Sequence, residues 1–270
     1  MDNRHRHAQA ITFRALHFNP GQPLLLANAW DAASARLIES AGAPAIATTS
    51  AGVAWSLGCA DGNVLAREEA IAAAARIVAA VTVPVTVDVE AGYADSAAGV
   101  ERTVADVVES GAVGINIEDG LLHPGDMADR ISAARRAAAR SGVPLFINAR
   151  TDVFLGGVAA PAERLAETLR RARRYLDAGA DGVFVPGVVD VDTIRVLVQE
   201  VDGPVNVMVG PGAPTAAALS RLGVARVSAG SGVAQASYAV AHRAAAELLT
   251  TGTHASLAPA VDYAAMNSLF

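Results

Sequence analysis

The chain has 270 residues, a formal net charge of −6 and one cysteine, Cys59. This length suits one large domain or two small ones, and an acidic balance without a basic block argues against nucleic acid as the main partner. A single cysteine excludes an internal disulfide and a cysteine-rich zinc site, and 52% hydrophobic residues with only 4% aromatics leave the packing to small aliphatic side chains.

The stretch Met1 to His17 carries Arg4, His5, Arg6 and His7 and lacks the apolar core and cleavage site of a signal peptide. It reads as a solvated leading helix. No apolar run is long enough to span a bilayer, so a cytoplasmic, soluble protein is expected. From there the chain repeats one unit: an Ala-rich amphipathic helix ends near Gly, and a short Val/Ile-rich strand follows. Ser40-Ala41-Gly42, Glu109-Ser110-Gly111, Arg140-Ser141-Gly142, Ala178-Gly179 and Leu222-Gly223 are such junctions. Glycine just past a helix can take the left-handed conformation that ends it.

The pattern predicts strands over 24–29, 44–49, 84–90, 113–118, 144–149, 181–186, 204–209 and 224–228. Helices are predicted near 31–41, 67–80, 96–110, 128–141, 161–178, 190–200 and 214–222. Strands that are apolar on both faces fit a parallel sheet covered by helices. Eight strand–helix units match an α/β fold of the (β/α)8, or TIM, barrel class in a single domain over 1–270. An open doubly wound sheet is the alternative. It usually carries a glycine-rich phosphate turn after its first strand, whereas here that strand ends in Asn28-Ala29-Trp30-Asp31. A C-terminal extension over 233–270 exceeds what eight units need. Its apolar residues, among them Leu248, Leu249, Leu257, Val261 and Phe270, must pack on another subunit or cover the barrel itself.

The chemistry-bearing residues fall at the carboxyl ends of the strands, the face on which such barrels build their sites. Asp88 and Glu90 end the third strand two residues apart and so point the same way. Glu118 follows the fourth strand, Arg150 the fifth, and Asp61 sits in the long loop from Ser50 to Ala66. Four acids without His or Cys suit Mg²⁺ or Mn²⁺, some of them acting through water. Arg150 offers a planar fork for a carboxylate. The turn Ser50-Ala51-Gly52 offers a hydroxyl and closely approachable backbone N–H groups. Together these suit a 2-oxo acid whose keto and carboxylate oxygens chelate a metal that steadies an enolate.

Other residues of these loops fit local roles. Asp31 and Asp95 read as helix caps, Asp119 as a supporting or solvated group, and Asp152 as a local partner. His123, in the short loop Gly120 to Asp126, is either a surface residue or an acid for the enolate. Tyr93 or a metal-bound water could also fill that role. Cys59 has no base beside it. Trp55, Pro186, Asn206 and Met208 stand at strand ends where a substrate side-chain pocket could form.

Ser50-Ala51-Gly52, Ser56-Leu57-Gly58-Cys59-Ala60-Asp61-Gly62, Val87-Asp88-Val89-Glu90-Ala91-Gly92-Tyr93, Gly114-Ile115-Asn116-Ile117-Glu118-Asp119 and Asn148-Ala149-Arg150-Thr151-Asp152 occur in this order. Over about residues 20–250 they resemble the isocitrate lyase/phosphoenolpyruvate mutase superfamily. The resemblance implies a barrel that binds Mg²⁺ and a 2-oxo acid, with Asp88 as the direct metal ligand. Glu90, Glu118 and Asp61 would hold the metal's waters. Arg150 would take the substrate carboxylate, and Ser50, Ala51 and Gly52 the oxo acid. It also implies a homo-oligomer, commonly a tetramer, with a C-terminal helix swapped between neighbours. Two departures stand out. The second acid after the third strand is usually aspartate in the family, not Glu90. The loop after Glu118 lacks the Lys-Lys-Cys-Gly-His or Lys-Arg-Cys-Gly-His stretch of the isocitrate and methylisocitrate lyases. The lysine and asparagine of the phosphonate-converting members are missing too.

The expected function is a Mg²⁺-dependent carbon–carbon lyase acting on a 2-oxo acid or its aldol-type precursor. Arg150, Glu118 and His123 are the candidate catalytic groups. Ser50, Ala51, Gly52, Asp88, Arg150 and Asn206 are the candidate substrate contacts. Decarboxylation of an oxaloacetate-type acid, a phosphonopyruvate-type hydrolase or mutase, and a non-catalytic oxo-acid-binding protein are the alternatives.

Overall fold

Short apolar strands joined through helices can pair only in parallel, and here they close on themselves. The computed structural model describes residues 3–19 and 21–270. Its strands are β1 (Leu24–Leu26), β2 (Asn28–Ala29), β3 (Ile46–Thr48), β4 (Val85–Asp88), β5 (Gly114–Glu118), β6 (Phe146–Arg150), β7 (Gly182–Val185), β8 (Val205–Met208) and β9 (Arg226–Ser228). All pair in parallel, in the order β1-β9-β8-β7-β6-β5-β4-β3-β2. The expected first strand, 24–29, is interrupted at Ala27. Its first half pairs with β9 and its second with β3, so this one segment shuts the barrel. The result is the expected (β/α)8 architecture.

The helices are α1 (Asn3–Leu16), α2 (Ala32–Ser40), α3 (Ser50–Ser56), α4 (Arg67–Ala80), α5 (Ala97–Glu109), α6 (Pro124–Ser141), α7 (Arg164–Asp177), α8 (Val191–Glu200), α9 (Ala216–Leu222), α10 (Gly232–Thr251) and α11 (Tyr263–Asn267). Their inner faces cover the strands with Val, Ile and Ala, for example Val100, Val104 and Val107 of α5 and Ile131 and Ala134 of α6. Among the described residues no helix is long and apolar enough to cross a membrane.

Several local expectations change. The leading helix, of which Met1 and Asp2 lie outside the described residues, is not merely solvated: α1 buries Ala10 and Phe13. Phe13 meets Phe146 edge-on (centroids 5.8 Å apart), and His17 stacks on the same ring at 3.9 Å. These rings stop the amino-terminal end of the barrel. Gly114 is glycine for that reason, since a Cβ there would fall 2.6 Å from Phe13 Cε1. Burial, with Arg226 nearby, lowers the His17 pKa to about 3, so the stopper is neutral.

The segment after β3 begins as helix α3 rather than loop. Thr49 caps it, its hydroxyl accepting from the Gly52 N–H. Asp31 caps α2 as expected, but α5 is capped by Ser96 and not by Asp95. Helix α6 starts at Pro124, before the expected 128, because proline suits a first helical position and His123 caps it. That leaves three residues, Gly120 to Leu122, between Asp119 and the cap.

Candidate active site

A cavity of about 150 Å³ opens at the carboxyl ends of the strands. That is small beside the 300–1,000 Å³ typical of drug-sized ligand sites, so it suits a small ligand. Its lining is mixed, with Asp61, Asp88, Arg150, Asn116, Ser50 and Ala51 beside Leu155, Phe184, Pro186 and Met208. A more open groove of about 580 Å³, lined by Leu16, Leu24, Ile38 and Pro44 among others, lies toward the opposite end. None of its lining residues is ionisable.

Arg150 ends β6 opposite Glu118 on β5. Its Nε and Nη2 donate to the two oxygens of Asp152, at 2.6 and 3.0 Å. Its Nη1 lies 2.5 Å from Glu118 Oε2. The Glu118 contact is an ion pair without a hydrogen bond, so of the five N–H groups of a guanidinium, one on Nη2 and both on Nη1 remain undonated. Burial opposes the Arg150 charge, but Glu118, Asp152 and Asp88 outweigh it and hold the group above its ordinary pKa. Asp152 is itself fixed from behind. Its backbone N–H donates to fully buried Asp119, which also accepts from Arg171 (2.7 Å) and the Tyr175 hydroxyl (2.7 Å). Asp119 is therefore a buried supporting group, not a solvated one.

The acids divide into two pairs. Asp61 and Asp88 line the cavity, while Glu118 and Glu90 do not. Glu118 is set back as the partner of Arg150. Glu90 falls beyond β4 at φ 49°, so strand alternation no longer governs where it points. It is almost fully buried, and its Oε2 accepts from the Asn63 N–H, tying down the loop that carries Asp61. The Ala91 N–H donates in turn to Asn63 Oδ1 at 3.3 Å. Asn63, Glu90 and Tyr93 all have positive φ, so backbone strain gathers at this tie. Burial raises the pKa values of Asp88, Glu90 and Glu118, that of Glu118 to about 8, and neighbouring carboxylates add to each rise.

Among the described residues no three His, Cys, Asp or Glu side chains stand close enough to hold a metal directly between them. The four acids therefore do not gather as a direct ligand cage. The donor set still fits a hard cation that keeps much of its water: it is all oxygen, two carboxylates face the cavity, and buried Glu90 Oε1 has no partner.

Ser50 and Ala51 line the cavity from the first turn of α3, whereas Gly52 lies behind them. A Cβ on Gly52 would come within 2.8 Å of Trp30 and Thr49. Pro186 and Met208 line the cavity, but Trp55 packs beside Tyr238. Asn206 lies beneath, its amide nitrogen donating to the carbonyls of Val207 and Arg226. His123 is exposed, accepts from the Gly125 N–H as the α6 cap, and is not brought to the cavity. Tyr93 is beside Glu90, outside the cavity lining. Cys59 packs against Val53 and Leu65. The sequence reading passed over Asn116, Asn28, Ser228 and Phe184, all lining residues, and the fully buried Arg226 below them. One polar residue inside each of several apolar strands was the available signal.

The family model described as phosphoenolpyruvate phosphomutase matches residues 13–249. The chain is 41% identical to the uncharacterized protein Rv1998c of Mycobacterium tuberculosis over 242 residues, 87% of this chain and 88% of that one. It is 32% identical to 2-methylisocitrate lyase of Salmonella typhimurium over 203 residues, 70% and 66% of the two chains. Among solved structures, a putative lyase/mutase from Burkholderia cenocepacia superposes with a TM-score of 0.89 at 37% identity, covering 98% of this chain and 96% of that one. For 2,3-dimethylmalate lyase the TM-score is 0.84 at 26% identity, with 97% and 94% covered. From the strand-end acids to the matched span, the chain belongs to the phosphoenolpyruvate mutase family, within the isocitrate lyase/phosphoenolpyruvate mutase superfamily.

Proposed function

We propose that the protein is a Mg²⁺- or Mn²⁺-dependent enzyme that forms an enolate from a small 2-oxo acid or its aldol-type precursor, acting as a carbon–carbon lyase. The observation that carries this reading is Arg150, held by hydrogen bonds to Asp152 and an ion pair with Glu118 yet left with an undonated N–H on each terminal nitrogen, beside cavity-lining Asp61 and Asp88. Arg150 grips the substrate carboxylate. Ser50 and Ala51 approach it from α3, and Asp88 and Asp61 hold the cation, with Glu118 and Glu90 behind them. A cation bound there supplies Lewis acidity to the keto oxygen. Leu155, Phe184, Pro186 and Met208 exclude water from the remainder of the substrate.

Decarboxylation of an oxaloacetate-type acid is the second reading. One observation favours it: Gly120 to His123 contribute nothing to the cavity lining, so no side chain of that loop is at hand to move a proton. The test is titration calorimetry of pyruvate and oxalate with Mg²⁺, beside turnover assays on oxaloacetate and 2-alkylmalates. D88A should abolish the metal-dependent part of binding; equal affinity in D88A would overturn the arrangement. Binding by the wild type without any turnover would favour an oxo-acid-binding protein instead.

The C-terminal extension supports an oligomer. Of α10 only Ala234 is buried, and Leu249, Tyr263 and Phe270 are largely exposed. Docking of this extension on a neighbouring copy would cover them.

A further inference from the structure

Arg226 is the largest fully buried side chain among the described residues, and it has no salt-bridge partner there. A buried cation without a carboxylate is costly. Its Nη2 donates to Asn116 Oδ1 at 3.1 Å and its Nε to Ser228 Oγ at 3.3 Å, while Nη1 has no partner. Asn116 and Ser228 both line the cavity, so Arg226 lies directly under its floor.

The consequence falls on Asn116. Its Oδ1 also accepts from Asn148 Nδ2 at 2.9 Å. Asn148 Nδ2 donates as well to Asn206 Oδ1 at 3.0 Å, and Asn206 Nδ2 is turned toward the carbonyls of Val207 and Arg226. Backbone carbonyls accept only, and a guanidinium donates only. Each amide in the row is therefore fixed in direction. Turning Asn116 over would set its N–H₂ against the Arg226 and Asn148 donors. Its oxygen is thus committed to the lumen, and its N–H₂ is the part left to face the cavity, in the strand layer of Asp88, its register partner.

We propose that Asn116 donates a hydrogen bond to an oxygen of the bound acid, and that Arg226 is the positioning residue that fixes Asn116 in that sense. Asn116 on the floor then joins Arg150 at the rim and the start of α3 as a source of donors toward an anion. This rests on the oxo-acid reading above and adds to it the group that meets the ligand from below. It also gives the lone cation a purpose, since its charge polarises Asn116 toward the incoming anion.

Oxalate titrated calorimetrically in the presence of Mg²⁺, far below the melting temperature, tests this on the full chain. N116A removes the donor without adding charge, and its affinity should fall about tenfold or more. N116D should fall further, because an acceptor-only carboxylate replaces the donor, yet it should stay folded since the new carboxylate pairs with Arg226. R226M should weaken oxalate binding, and R226K, which restores a donor, should recover most of it. A purely structural Arg226 would lower the melting temperature of R226M and leave the affinity of the folded protein unchanged. N116A affinity within twofold of wild type overturns this inference alone. Absence of oxalate binding by the wild type overturns the oxo-acid reading, and this inference with it.

Discussion

Replacing Arg150 by lysine separates its fork geometry from its charge. In the structure two N–H groups donate to Asp152 and Nη1 is ion-paired with Glu118 without a hydrogen bond, so an N–H on each terminal nitrogen remains undonated. Lysine keeps the charge but offers three N–H groups on a single nitrogen, so it cannot both hold Asp152 and grip a carboxylate bidentately. A hydrogen bond to a charged group contributes about 1.5–3 kcal/mol, so losing the fork should weaken oxalate binding about 10- to 150-fold. Alanine would be a poorer probe. It would leave Glu118 and Asp152 as buried acids without a counter-charge, a change that costs about 3–5 kcal/mol and confounds binding with unfolding. The assay is calorimetric titration of oxalate in Mg²⁺ buffer, with urea midpoints measured on the same samples. An R150K protein that folds normally and binds oxalate within twofold of wild type would refute the assignment of Arg150 as the carboxylate clamp.

Three further outcomes follow from the geometry. D119A removes the acceptor shared by Arg171, Tyr175 and the Asp152 N–H, leaving three buried donors without it while Arg171 keeps only its ion pair with Glu167. Urea unfolding should register a loss of about 3–5 kcal/mol, and a loss under 1 kcal/mol would contradict the network. F13A empties the barrel stopper and should cost about 3–5 kcal/mol by the same measurement; a near-neutral result would mean α1 does not seal the barrel in solution. Glu118, raised from 4.5 to about 8, governs a pH effect. The folded state holds the extra proton, so its contribution is complete below about pH 4.5 and is lost as pH rises through 8. In EDTA, the wild type should lose a few kcal/mol between pH 5 and 8, to which Asp88 and Glu90 add with the same sign. E118Q should show a shallower slope; an identical slope would remove Glu118 as a cause.

The barrel was legible because its signals are local and repeated. Gly142 ends α6 at φ 69°, as its place in the pattern requires, and the Val/Ile strands follow such stops at regular intervals. Asp88 and Arg150 were legible because a strand end fixes where a side chain points. Glu90 was not, since the strand stops at Asp88 and a left-handed turn redirects it. Helix α3 was hidden in Ser50-Ala51-Gly52, residues that read as a turn until Thr49 is seen capping them. The supports of the site were hidden for another reason. Arg226, in Val224 to Ser228, looks by itself like a solvent-facing residue in an alternating strand. Only the register, which sets Arg226 beside Asn206 and Asn116 between Asp88 and Asn148, turns scattered polar residues into one layer.

That layer bears on how a small cavity could stabilise an enolate. A barrel lumen is usually filled by branched aliphatic side chains, which pack well but cannot respond to charge. Here Asn116, Asn148, Asn206 and Arg226 occupy it, and hydrogen bonds hold their dipoles before any ligand arrives. Donors aimed in advance at a developing negative charge need no reorganisation when it forms, and in a water-poor site each is worth more than in solvent. The acids at the rim work the other way, since Asp61 and Asp88 both oppose an incoming anion. A bound cation would offset those acids, while Asn116, fixed by Arg226 below it, would face the substrate from beneath. On this argument, removing the metal and removing the Arg226 charge should weaken oxalate binding by separable amounts.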